Sequence, residues 1–252
     1  MSEWEHILSA GVLVLFRLSG LFVFAPIFSS PAIASRIKVG FAFAMAILVA
    51  PGIAVASGAV AELGVSNILG ELAVGLLFGV SLMMLTEAVM FAGTLLGMQF
   101  SFSLVNLIDP VSKVETPVLG QMLSWMTTLI LLGAGLHRTL IAAVLRSFDV
   151  IPVGTFAMSA ASGAKLAHMA SGTFLAGVQL ASPVMAAALL VEITIALMGR
   201  ISPQLPTTIL SVPVKTIVSY GVLMGSLAIW PGFLERHFDS LLSAAAGLLG
   251  QG

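Results

Sequence analysis

Residues Gly97–Gln121, GMQFSFSLVNLIDPVSKVETPVLGQ, separate two long apolar runs, and their reading decides the fold. Phe100, Phe102 and Leu104 alternate with Ser101 and Ser103, a period of two that a helix cannot sort onto one face. Asp109-Pro110 and Thr116-Pro117 each read as an N-cap followed by proline at the first helical position, and Ser112 and Glu115 have capping-box spacing. The stretch is therefore an apolar loop with one short helical turn, not a membrane helix. Lipid offers no partner to the free N–H and C=O groups of such a loop, so it belongs against protein or along a water-filled cavity.

Outward from the loop, the apolar tract Asn67–Gln99 would be about 50 Å long as one helix, against a hydrocarbon core of roughly 30 Å. It must tilt, break or project beyond the bilayer. Further upstream lie runs at 7–25, interrupted by Arg17 and ending at Pro26, and at 39–56, broken by Pro51-Gly52. Downstream lie 118–145, 172–198 and 216–234, with an amphiphilic linker over 146–171 and a loop over 199–215. The pattern predicts an all-α polytopic membrane protein of roughly six hydrophobic segments arranged as hairpins around the apolar loop.

Composition agrees. Hydrophobic residues make up 59% and charged residues 8% of the chain, and mean hydropathy is +1.13, whereas a soluble domain carries roughly 25% charge. A net charge of −1 leaves no basic footprint for nucleic acid. With no cysteine there is no disulfide and no thiolate chemistry. The N-terminus carries Glu3 and Glu5 where a cleavable signal has basic residues, so the first hydrophobic segment is expected to stay on the protein. The sequence lacks H-E-x-x-H, a phosphate loop and a pair of nearby carboxylates, and His6, His137, His168 and His237 are far apart. The expectation is a protein without catalytic, cofactor or metal residues.

Two further patterns bear on packing. Gly75 and Gly79 form one small-xxx-small pair and Gly93 and Gly97 a second; at about 100° per residue the second lies about five turns after the first, on the same face. Gly221 and Gly225 repeat the device. Arg17, Glu71, Glu87, His137, Arg138 and Glu192 fall within or at the ends of predicted helices, where a charge facing lipid costs several kcal/mol. The expected solution is pairing between helices or between subunits, or a position outside the lipid, in preference to an ion pathway. Arg36, Lys38, Lys113, Arg200 and Lys215 fall in alternate loops on one side, against Arg146, Lys165 and Arg236 on the other, which favours an N-terminus outside.

The order Arg17, Ala25-Pro26, Arg36-Ile37-Lys38, Gly70-Glu71, Gly97-x-Gln99, Asp109-Pro110, Pro117-Val118-Leu119, His137, Ser147-Phe148, Ile151-Pro152-Val153-Gly154, Ala181-x-Pro183, Arg200, Pro203-Gln204 and Pro213-x-Lys215 resembles the FliR family. These are flagellar biosynthesis proteins of the type III export apparatus, the T-type subunits of injectisomes. The resemblance covers nearly the whole chain, with departures at Ala34, Ser101 and Pro206.

The resemblance implies a non-enzymatic core subunit of a protein export gate in the bacterial inner membrane and flagellar basal body. Its implied partners are P-type and Q-type gate subunits, the B-type switch subunit, unfolded export substrates and membrane lipid. It implies a P-like body over 1–171 and a Q-like C-terminal hairpin and tail over 172–252, with the hairpin tip, including Arg200, Gln204 and Lys215, toward the cytoplasmic entrance. Segment 100–117 would plug the pore through Phe100, Phe102, Leu104, Leu107, Asp109 and Pro110. Arg17, Glu71, Arg200, Gln204 and Lys215 would serve as inter-subunit or loop charges. A polytopic secondary transporter of small solutes is the alternative, but the two halves of the chain show no self-similarity of the kind inverted repeats leave.

Overall fold

A computed structural model describes residues 3–26, 28–29, 33–57, 63–100, 118–156, 160–202, 204 and 207–249. Among them every regular element is α-helical: α1 (Glu3–Phe24), α2 (Ser35–Ser57), α3 (Val65–Gln99), α4 (Val118–Gly133), α5 (Leu136–Val150), α6 (Ala160–Ile201), α7 (Thr207–Leu227) and α8 (Trp230–Leu249). Five of these, α1, α2, α3, α6 and α7, are long and apolar enough to cross a membrane, and α4 with α5 makes up to six.

Several boundaries differ from the sequence reading, among them the loop expected over 199–215: α6 continues to Ile201 and α7 starts at Thr207, so Lys215 is helical and not a loop charge. The run 118–145 is two helices, broken at Ala134-Gly135, where Gly135 takes φ +74°, a left-handed conformation that glycine adopts without steric cost. The linker 146–171 is mostly helix: α5 continues to Val150 and α6 starts at Ala160. Its alanines favour helix. The segment past 234 carries α8, whose buried residues Leu234, Phe238, Leu242, Ala245 and Leu249 recur at helical spacing.

The chain folds as two compact units: 1–85 with 131–170 and 235–252, and 86–130 with 171–234. In the first, the core is built from Leu13, Val14, Leu18 and Leu21 of α1, Val74, Phe78 and Leu82 of α3, Leu140 and Val144 of α5 and Phe238 of α8. Helix α2 buries only small residues, Ala42, Ala46 and Ala50, on one face, and Gly11 of α1 lies opposite Ala50. Small side chains let the two helices pack closely, as in membrane interfaces. The opposite face of α2, with Phe43, Ile47 and Leu48, is exposed. Phe22, Phe28 and Phe41 close the α1–α2 end with ring centroids 4.6 to 6.1 Å apart.

In the second unit α3 crosses α4 at paired glycines: a Cβ on Gly93 would lie 2.2 Å from the Gly120 Cα. Helix α6 meets α3 where Gly177 lies against Phe91, whose ring meets Phe174 edge-on at 5.5 Å. Buried residues of this unit include Val89, Ala92, Leu96, Leu180, Ala181 and Val184.

Candidate functional site

The one deeply buried charged cluster among the described residues lies in the first unit. Arg17 and Glu71 are both fully buried, on α1 and α3. Arg17 donates from Nε to Glu71 Oε2 at 2.6 Å and from Nη2 to Oε1 at 3.1 Å, a two-pronged pairing that fits the planar guanidinium to the carboxylate. Nη1 donates to Ser147 Oγ at 2.9 Å and Nη2 to the Ile151 carbonyl at 3.2 Å. The Ser147 hydroxyl donates in turn to the Val144 carbonyl at 2.6 Å, and the guanidinium carbon stands 4.0 Å from the Phe148 ring centroid. The Gly154 N–H donates to Glu71 Oε1 at 2.8 Å.

The local backbone makes this possible. α5 ends at Val150, and the turn Ile151–Gly154 folds back with Gly154 at φ +80°, which aims its N–H at Glu71. A Cβ on Gly154 would also crowd Asn67 at 3.3 Å. α1 and α3 approach within backbone contact: a Cβ on Gly75 would fall 1.9 Å from the Arg17 carbonyl oxygen, and one on Gly20 would fall 2.6 Å from that of Leu72. A Cβ on Gly70 would fall 2.9 Å from the Phe156 carbonyl oxygen. Charges buried this completely are tolerable because nearly every donor and acceptor is used. The arrangement offers no vacant coordination or acid–base position; it clamps three helices and a turn together.

Arg17 and Glu71 thus pair between helices of one chain. Gly75 and Gly79 both pack on α1, Gly79 with its added Cβ 3.0 Å from the Leu21 carbonyl, and Gly93 packs on α4, whereas a Cβ on Gly97, Gly221 or Gly225 would meet nothing within 4 Å among the described residues. Lys215 of α7 forms an ion pair with Glu192 of α6, tying these two helices together. Arg200 ends α6, and both it and Gln204 are exposed.

Phe100, the last described residue before 101–117, is 5% exposed and stacks on Tyr220 of α7, with centroids 4.2 Å apart and planes 18° off parallel. Phe102, Leu104, Leu107, Asp109 and Pro110 lie outside the described residues. Ser147 and Tyr220 escape sequence reasoning. The Ser147-Phe148 and Ile151–Gly154 pieces stand out as motifs, but no spacing rule joins them to Arg17, 130 positions away from Ser147.

A family model described as "Bacterial export proteins, family 1" matches residues 8–241. The flagellar biosynthetic protein FliR of Bacillus subtilis (strain 168) is 29% identical over 254 residues, 99% of this chain and 98% of its own length. That of Escherichia coli (strain K12) is 25% identical over 254 residues, covering 99% and 96%. The Caulobacter vibrioides protein is 28% identical over 221 residues, covering 86% and 87%. Motif order, helical architecture and full-length similarity agree that the chain belongs to the bacterial export proteins of family 1, the FliR family of flagellar export proteins.

Proposed function

We propose that this chain, a multi-pass membrane component of the flagellar type III export apparatus, is a non-enzymatic core subunit of the export gate in the inner membrane. P-type and Q-type subunits, with a B-type switch subunit, are its partners; residues 1–171 are the P-like body and 172–252 the Q-like hairpin and tail. Segment 100–117 closes the pore to ions until an unfolded substrate passes.

The observation that carries this reading is the uncovered apolar face of α6. Exposed large apolar residues run from Phe174 and Leu175 through Leu189, Leu190, Ile193 and Leu197 to Ile201. At 1.5 Å per residue this face is about 40 Å long, so a core of roughly 30 Å would cover it only at a tilt near the limit of about 40°. Neighbouring subunits cover such a surface without that tilt. α3 and α6, at 35 and 42 residues, both exceed the length a bilayer needs.

Co-expression tests it. The chain should be recovered as a stoichiometric complex when P-type and Q-type subunits are present, and as a poorly behaved, aggregating species alone. Recovery of a stable monomer or homo-oligomer with solute transport in proteoliposomes would replace the gate reading with that of a transporter.

A further inference from the structure

Within the first unit, α5 and α8 leave a groove of about 540 Å³, floored by Phe78, Leu242 and Leu249 and rimmed by Arg138 and Arg146. The volume is within the roughly 300–1,000 Å³ of small-molecule sites. Ala142, midway between the arginines, is small enough to leave the groove open. Among the described residues no acidic side chain lines it, and neither guanidinium makes an ion pair or side-chain hydrogen bond. Both side chains are exposed, in a chain with only 10 Lys and Arg.

We propose that this groove binds an anionic phospholipid, its phosphate held by Arg138 and Arg146 and an acyl chain laid over Phe78, Leu242 and Leu249. This does not depend on the gate reading. The two arginines are about 12 Å apart along the helix axis, close enough for their long side chains to converge on one headgroup or on a lipid with two phosphates. A free inorganic anion would use the charges and leave the apolar floor wet; a zwitterionic lipid would use the floor and leave the charges half-matched. An anionic phospholipid satisfies both, and guanidinium suits phosphate because it offers paired donors in a plane. Basic pockets between membrane helices recognise lipids in this way.

The test uses the full-length chain, purified in neutral detergent with whatever subunits accompany it, delipidated and titrated with phosphatidylglycerol or phosphatidylcholine under native mass spectrometry. One phosphatidylglycerol should be retained in preference to phosphatidylcholine by about tenfold or more. R138Q/R146Q should abolish the preference, and A142W should weaken retention with both charges intact by filling the groove. All three positions are exposed, so circular dichroism should confirm unchanged folding. Equal retention of the two lipids, or a preference that survives R138Q/R146Q, overturns the proposal. So does an A142W variant that binds like wild type, which would mean diffuse charge attraction, or full displacement by inorganic phosphate, which would mean a free-anion site. Loss of a partner subunit from R138Q/R146Q with lipid retention unchanged would make the face a protein interface and equally overturn it.

Discussion

Arg17 and Glu71 stand 54 positions apart in sequence and meet through two hydrogen bonds of 2.6 and 3.1 Å, with both side chains fully removed from solvent. Removing one partner strands the other charge in an apolar interior, so Arg17→Met or Glu71→Leu should each lower stability by about 3–5 kcal/mol. The double variant R17M/E71L should be less damaged than the sum, since it leaves no unpaired charge, although Ser147 and the Gly154 N–H then lose their partners. Glu71→Gln should be milder than Glu71→Leu because the amide oxygen still accepts one hydrogen bond. Thermal unfolding in detergent, followed by loss of monodisperse protein, measures the series. Equal and severe losses for Gln and Leu would show that the negative charge itself is required.

The glycines separate into two groups with opposite expectations. At Gly75 and Gly93 an added Cβ would lie 1.9 and 2.2 Å from backbone atoms of α1 and α4, which cannot move aside as a flexible side chain does. Gly75→Leu and Gly93→Leu, and Gly79→Leu to a lesser degree, should reduce recovery of folded protein and of any complex while leaving membrane insertion intact. Among the described residues a Cβ on Gly97 would meet nothing within 4 Å, so Gly97→Ala should leave the chain folded and stabilise α3 slightly through lower backbone entropy. If Gly97→Leu folds but no longer co-purifies with partner subunits, that position serves the assembly rather than the chain.

Phe100 and Tyr220 allow a direct measurement of how the end of α3 is held. Phe100→Ala should cost about 3–5 kcal/mol, as for a buried aromatic. A double-mutant cycle with Tyr220→Ala should return a coupling of about 0.5–1.5 kcal/mol for the stacked pair. Denaturant titration of the purified protein supplies the four free energies. Zero coupling would mean that the rings are neighbours without an energetic role, and Phe100 would then be free to act with the loop that follows.

Much of this architecture was legible because apolar runs bounded by proline and charge translate directly into hydrophobic helices. Helix starts and ends were less so. The break after Gly133 rests on one left-handed glycine, Gly135, in a run where Gly133 is the other nearby punctuation and no proline falls. α8 was missed because Glu235, Arg236, His237 and Asp239 mask an apolar stripe that is visible only at helical spacing. The intrahelical charges were legible as individuals needing a partner, yet the partner was not: hydrophobic periodicity reports which face is buried, not which distant face it meets. The turn Ile151–Gly154 becomes meaningful only once the fold brings its carbonyl and N–H to Arg17 and Glu71.

The remaining prediction concerns the loop after Phe100. Phe102, Leu104 and Leu107 lie outside the described residues, on a segment whose alternating pattern and prolines predict a loop, and bulky apolar side chains converging in a pore would exclude ions by filling and dewetting it. Phe100 is packed against Tyr220, so its truncation would disturb the end of α3 as well as any seal, and the better probe of the proposed plug is deletion of residues 104–112 with Phe102→Ala as the point variant. Both should assemble with partner subunits at close to wild-type yield, because helices α3 and α4 on either side keep their glycine crossing at Gly93 and Gly120. Both should conduct ions in planar bilayers and sensitise cells to small toxic solutes, the deletion more strongly. If Phe102 instead belongs to a subunit core, its truncation should cost about 3–5 kcal/mol and assembly should fail before any leak appears. A deletion variant that assembles fully and stays electrically silent would remove the plug from the proposed mechanism.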